Sequence, residues 1–543
     1  MNVLILVAAL AAAAAAPAVP AAPTDVPADA VRIDSGLIRG TTAGDDAQVR
    51  VYRGIPFAAP PVDNLRWKPP QPVKPWQGVR ACTEYGASCP QPAALLGRES
   101  GRQSEDCLFM NVWTAAKSAA EKRPVMVWIH GGGCTTGSGS SLYYDGEAFA
   151  RQGVVLVTIN YRLGPFGFLA HPALSKESPQ GVSGNYGMLD QIEALRWVQR
   201  NIAAFGGDPG CVTIFGESAG SASACRLMVS PLAKGLFHRV IAESGGASGM
   251  NRRLKEPLGA APSTEKMGED LAAKMGCDKA PDVLAALRAK TPEELLAASD
   301  PAQGLFGKGM KFGWTIDGWA LPEDPAALFE AGKLAPVPFM TGSNADEGTI
   351  FIQPLPIQRT IGYNLMLRTL FREDADAAAR LFPAETDDAV RPALARVVGV
   401  MAFVAPARSL VRQVGKAGQK AYLYHFTRVP PAYAKRGVGA FHAGEIPFVF
   451  GHVAGKPGFE DKDAEVSRAM QAAWVRFANT GDPNSPGLPT WPTYKPDTDA
   501  HMEFGDTVRA GTGLYKEACD LIDKAAARRR EGGLLGPGLL QQE

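Results

Sequence analysis

The sequence predicts an α/β fold: a large, mostly parallel sheet with helices on both faces. Short apolar runs alternating with amphipathic helical stretches point to it. The runs are apolar on both faces, as strands buried between two helical layers are. No Pro/Ser-rich linker interrupts the series, and no repeat period is evident. One large domain over residues 23–543 is therefore expected. The length alone, at about 150 residues per domain, would suggest several.

Taken in chain order, residues 3–16 are apolar and precede Pro17-Ala18-Val19-Pro20-Ala21-Ala22. That run is short for a membrane span and fits a signal-peptide core, although no Lys or Arg precedes it. Residues 1–22 are expected to be a removed leader, the mature chain to be exported, and no stable membrane span to remain. Export permits disulfides among the eight cysteines. Cys89 and Cys107 are the best local pair, flanking a stretch of surface-loop composition. Cys82, Cys134, Cys211, Cys225, Cys277 and Cys519 have no evident partner, and no Cys-x-x-Cys pair suggests zinc.

Strands are expected at 125–129, 154–159, 212–215, 240–242, 339–341 and 421–426. Helices are expected at 188–201, 222–229, 265–275, 281–288 and 465–479, the last stopped by Gly481-Asp482-Pro483. Residues 524–530 read as a basic helix end, and the tail from about 532 as disordered. The long loops 248–263, 304–314 and 353–363 are candidate walls of a substrate gorge. The 56 Lys+Arg and 55 Asp+Glu leave a net charge of +1. That balance argues against a nucleic-acid partner and favours a small, largely apolar substrate. With 46% apolar and 20% charged residues, the composition is globular.

The chemistry concentrates at Gly216-Glu217-Ser218-Ala219-Gly220, which follows the 212–215 strand and opens a helical stretch. A G-x-S-x-G turn in that setting lifts a serine hydroxyl out of a sheet at the positive end of a helix. A hydroxyl nucleophile needs donors for the oxyanion it creates. Trp128-Ile129-His130-Gly131-Gly132-Gly133, after another strand, can supply them. Gly132, Gly133 and Ala219 are the expected oxyanion donors. A phosphate loop would want a following Lys, and none is there. His130 reads as a structural residue of this loop. The nucleophile further needs a base and an acid, which in α/β hydrolases follow in the order acid, then His. His442, in a Gly-rich loop, is the best base; His425 sits in an aromatic strand pattern and reads as packed. For the acid, Asp346 and Glu347 both lie in a suitable turn after a strand.

These residues resemble the carboxylesterase/lipase type-B family, the cholinesterase-like branch of the α/β hydrolases. The resemblance runs from about Val31 to about Phe504. It is carried by 51–58 (an early loop of the family), Ser104-Glu105-Asp106-Cys107-Leu108-Phe109-Met110-Asn111, Asn160-Tyr161-Arg162-Leu163-Gly164, Gly184-Asn185-Tyr186-Gly187, and Phe205-Gly206-Gly207-Asp208-Pro209. It implies an α/β-hydrolase fold with long insertions, Ser218 as nucleophile, His442 as base and Glu347 as acid. It further implies Glu217 as the acidic neighbour tuning the site, an oxyanion hole of Gly132, Gly133 and Ala219, and a Cys89–Cys107 disulfide. No metal or organic cofactor is implied. Cholinesterases carry a Trp between those cysteines for cation–π binding; here 90–106 holds none, so choline esters are not expected. Only Cys277 stands in the region of the family's second disulfide. Cys134, directly after the glycines, reads as a small packing residue. The expectation is an exported serine carboxylesterase acting on a small ester. The alternatives are a carbamate or amide hydrolase of the same mechanism, and a non-catalytic binding relative.

Overall fold

The computed structural model describes residues 27, 29–44, 47–93, 101–249, 251–259 and 261–531. The expected leader and the tail from 532 lie outside the described residues.

Eleven strands form one sheet. They are β1 (Thr41–Ala43), β2 (Val49–Pro56), β3 (Phe109–Thr114), β4 (Arg123–Ile129), β5 (Val155–Ile159), β6 (Gly207–Glu217), β7 (Arg239–Glu243), β8 (Phe339–Asn344), β9 (Ala421–Phe426), β10 (Ala500–Phe504) and β11 (Val508–Thr512). Across the sheet the order is β11-β10-β9-β8-β7-β6-β4-β5-β3-β2-β1. The run from β5 through β4, β6, β7, β8 and β9 to β10 is parallel. Both margins are antiparallel. This is the α/β-hydrolase sheet, and the six apolar runs read from the sequence are its parallel strands β4 to β9. The antiparallel margin was not legible in the same way. Residues 51–58, read as an early loop, are mostly strand. There β2 is irregular between Tyr52 and Ile55, which breaks the alternation that would have marked it.

The helices used below are α1 (Tyr186–Asn201), α2 (Ala219–Val229), α3 (Thr360–Phe371), α4 (Asp387–Gly399), α5 (Ala405–Lys416) and α6 (Asp461–Thr480). Strand side chains alternate between the two faces. On β4, Val125, Val127 and Ile129 join the larger apolar core, with Ile192, Leu195 and Val198 of α1. Met126 and Trp128 enter a second core with Phe215, Ile241 and Trp474 of α6. Burying both faces explains why these strands carry no polar alternation.

A π-turn, Val400–Val404, joins α4 to α5. The continuous run 387–416 is long and apolar enough to cross a membrane, but 72% of its apolar window is buried inside the protein. It packs onto the turn after β8. A Cβ at Gly348 would lie 1.9 Å from the Ala395 carbonyl oxygen, so only glycine lets helix and turn close.

Candidate active site

Ser218 joins β6 directly to α2, with φ 57° and ψ −116°. A non-glycine residue held there costs about 1–3 kcal/mol, which surrounding contacts must offset. One such contact is the Ser218 N–H donating to Glu243 O of β7 at 2.8 Å. The flanking glycines have steric reasons. A Cβ at Gly216 would lie 2.3 Å from Ile129 O, and one at Gly220 1.9 Å from the same oxygen. The turn is therefore wedged against the end of β4. Ser218 is half-buried while Glu217 and Ala219 are buried, so the hydroxyl-bearing residue is the one that solvent reaches.

The glycine loop runs beside this turn. A Cβ at Gly131 would lie 3.2 Å from Ser218 Cβ and 2.7 Å from Glu217 O. Gly132 and Gly133 have φ values of 101° and 63°, in the region that favours glycine. The Gly132 carbonyl accepts from the N–H groups of Thr135 (3.1 Å) and Thr136 (3.0 Å), which turns that carbonyl inward on its own loop. His130 is buried and stacks on Tyr161, ring centroids 4.4 Å apart. Its Nδ1 pairs with Gly131 O at 2.9 Å, and burial pushes its pKa down to about 4, so it is a neutral structural residue. Cys134 has its thiol buried and pushed well up by that burial; it packs in the core.

Glu347 and His442 are both buried and meet at 2.6 Å through Glu347 Oε2 and His442 Nδ1. The other Glu347 oxygen accepts from Ser244 Oγ (2.6 Å) and Asn344 N (2.7 Å). Asp346, the other candidate acid, does not face the imidazole. Its Oδ2 accepts from Ala440 N at 2.8 Å and its own N–H donates to Ala440 O at 2.9 Å, so it fastens the histidine loop. His442 Nε2 lies 3.0 Å from Glu217 Oε1. Burial works against the imidazolium, but Glu217 and then Glu347 outweigh it and raise the His442 pKa to about 9. Phe351 and Phe403 clad the ring, with centroids 4.9 and 4.5 Å from it, and the π-turn delivers Phe403.

Two further carboxyls were not singled out from the sequence. Glu243 and Glu445 are fully buried in the same nest. Burial, then Glu217 and Glu347, push Glu445 up to about 8. Burial, then Glu445, raise Glu243 well above the carboxylate range. Trp474 Nε1 donates to Glu243 at 2.7 Å and Asn344 Nδ2 donates to Glu445. Burial thus disfavours the charged form of both acids, and the carboxylates in contact with the His442 ring are those of Glu217 and Glu347. Glu445 lies three residues after His442, the one signal that could have drawn attention to it. Cys89 and Cys107 are buried free thiols. A hydrogen bond with Cys89 that favours the protonated thiol, then burial, raises Cys107 well above its ordinary value, so the two sulfurs are neighbours.

A serine on a strained strand-to-helix turn, a glycine loop beside it and a buried Glu–His pair define an α/β hydrolase equipped for acyl transfer. Residues 27–522 match the Carboxylesterase family; the chain belongs to that family and is a carboxylic ester hydrolase. It is 38% identical to the fumonisin B1 esterase of Sphingopyxis macrogoltabida over 507 residues, 90% of each chain. It is 37% identical to the para-nitrobenzyl esterase of Bacillus subtilis (strain 168), over 85% of this chain and 92% of that one. Liver carboxylesterase 1 of Oryctolagus cuniculus is 36% identical, over 89% and 91%. A solved structure of PNB esterase superposes with a TM-score of 0.77 at 34% identity, covering 91% of this chain and 99% of that one.

Proposed function

We propose that ester hydrolysis proceeds through an acyl-enzyme on Ser218, with His442 as base and Glu347 as its orienting acid. The buried 2.6 Å contact between His442 Nδ1 and Glu347 carries this reading. It holds the imidazole by Nδ1, so that proton exchange falls to Nε2, which lies 3.0 Å from Glu217 Oε1 beside the nucleophile turn. Ser218 Oγ attacks the ester carbonyl while its proton passes to His442. The imidazolium so formed lies between Glu347 and Glu217, which stabilise it. The N–H groups of Gly132, Gly133 and Ala219 hold the oxyanion; one such donor contributes about 2.7–4 kcal/mol. His442 then protonates the leaving alcohol, and water, activated by the same His442, releases the acid. The near-neutral charge and the phenylalanines at His442 support a small, largely apolar ester as substrate. Ser218→Ala is expected to lower kcat for p-nitrophenyl butyrate by on the order of 10⁴-fold or more. A rate near wild type would overturn the assignment.

The reading extends to location. The apolar segment 3–16 supports export, and the neighbouring Cys89 and Cys107 thiols support a disulfide formed in an oxidising compartment.

A further inference from the structure

We propose that Gln91 is a positioning residue for the oxyanion loop, gripping it from the cysteine loop through a two-way amide pair with Gly137. The inference rests on the reading of Gly132 and Gly133 as oxyanion donors.

Gln91 is buried, 5% exposed, two residues after Cys89. Its Nε2 donates to Gly137 O at 2.9 Å, and its Oε1 accepts from Gly137 N at 2.7 Å. The same Nε2 donates to Cys89 O at 3.0 Å. These contacts also fix which end of the amide is which, since a flipped amide would set N–H against N–H. The Gln91 backbone is held in turn, its N–H donating to Gln103 Oε1 at 2.9 Å. Ser88 N donates to Arg102 O and Ser104 N to Ser88 O, both at 2.9 Å, so the two arms of the cysteine loop are laced together beneath Gln91.

Gly137 is the residue through which such a grip reaches the glycines. Its φ is 115°, and a Cβ there would lie 2.3 Å from His130 Nδ1 and 2.7 Å from Gly131 O. It therefore lies flush against the His130-Gly131 segment. Gly132 is seated on the same return, since a Cβ there would lie 2.1 Å from Thr136 O. Gly131, finally, touches the Ser218 turn. The mechanical path is Gln91, Gly137, Gly131, Ser218, with no flexible side chain after the first step. Only glutamine has the reach and both the donor and the acceptor for this pair; glutamate lacks the donor and asparagine is too short. Without the amide, a part-buried N–H and C=O of Gly137 lose their partners and the loop gains an alternative geometry. Donors aimed at a transition-state charge lose most from such loosening, whereas ground-state binding loses little.

The test uses the full chain and two variants, Gln91→Met (near-isosteric, no hydrogen bonds) and Gln91→Glu (acceptor kept, donor lost). The measurements are kcat and KM on p-nitrophenyl butyrate, the inhibition constant of an alkyl trifluoromethyl ketone, and the melting temperature. The ketone forms a tetrahedral adduct on a serine nucleophile and places an oxyanion in the hole. The expectation for Gln91→Met is a kcat loss of about 10- to 100-fold, KM within about twofold, and a parallel loss of ketone affinity. Gln91→Glu should fall between Met and wild type. Unchanged kcat and ketone affinity in soluble variants overturn the proposal, as does a loss confined to melting temperature. Should Gln91→Met fail to fold, Gln91→Glu decides alone on the same readouts. Gly132→Ala is measured alongside, because its Cβ must displace the loop. If it too leaves kcat and ketone affinity unchanged, the oxyanion reading itself falls. If it lowers both while the Gln91 variants do not, only the role of Gln91 falls.

Discussion

An imidazole enclosed by Glu217 and Glu347 is a stronger base than free histidine, and the cost is that it must first be deprotonated. With its pKa pushed up to about 9, His442 is mostly imidazolium at neutral pH, so kcat/KM is expected to climb with pH through about 9. Glu217→Gln removes one of the two carboxylates whose charge holds the proton. The midpoint of that climb should then move to lower pH by about one unit or more. An unchanged midpoint in the pH–rate profile would show that Glu217 does not set the base strength. At this scale the sequence was informative where chemistry is written locally. Ser218 stands in a spaced motif, and His442 in a glycine-rich loop after a strand. Asp346 and Glu347 looked alike as residues because both are acids in one turn, and it was the family resemblance that pointed to Glu347; in the fold Asp346 is bonded to Ala440 and Glu347 to His442. Glu243 and Phe403 were not legible, since each reaches the site through space from a segment whose local pattern says only strand or helix.

The element that matters most is the turn between β6 and α2, and its tolerance can be stated position by position. Gly220→Ala puts a methyl 1.9 Å from the Ile129 carbonyl. Neither β4 nor the turn can yield without moving Ser218. The expected outcome is a fall of at least about tenfold in kcat together with several degrees in melting temperature. Gly415→Ala in α5 is the control. A Cβ there meets nothing within 4 Å, the helix end needs no positive φ, and stability should rise by up to about 1 kcal/mol. Equal effects of the two substitutions, in thermal melts and steady-state rates, would contradict the steric account. The parallel strands were readable because burial on both faces leaves unbroken apolar runs. The antiparallel margin and the run from α3 to α5 were not. The former is irregular and partly polar, and in the latter apolar residues stand on the outer face too, Ile361 and Leu365 of α3 being exposed, so its helical period carries little polar contrast.

For the whole molecule, the eleven-stranded sheet from Thr41 to Thr512 explains why a chain long enough for several domains gathers its chemistry at one edge. Ser218, Glu347 and the His442 loop all follow the C-terminal ends of parallel strands, where open α/β sheets place their sites. The compartment is a molecular-scale question too. If the leader and the Cys89–Cys107 bond are as proposed, protein recovered outside the cytoplasm begins between residues 19 and 23, and its unreduced mass lies about 2 Da below the all-thiol value. Cys89→Ser should then cost about 3 kcal/mol in stability by denaturant titration. A full-length, fully reduced exported chain would contradict both points. The central claim is that one serine is activated. Incubating the full chain with a fluorophosphonate probe, digesting it and mapping the adduct by tandem mass spectrometry tests it most directly. The account predicts a single stoichiometric adduct on Ser218, abolished by Ser218→Ala and strongly slowed by His442→Ala. An adduct on another serine, or no labelling of an enzyme that hydrolyses esters, would contradict it.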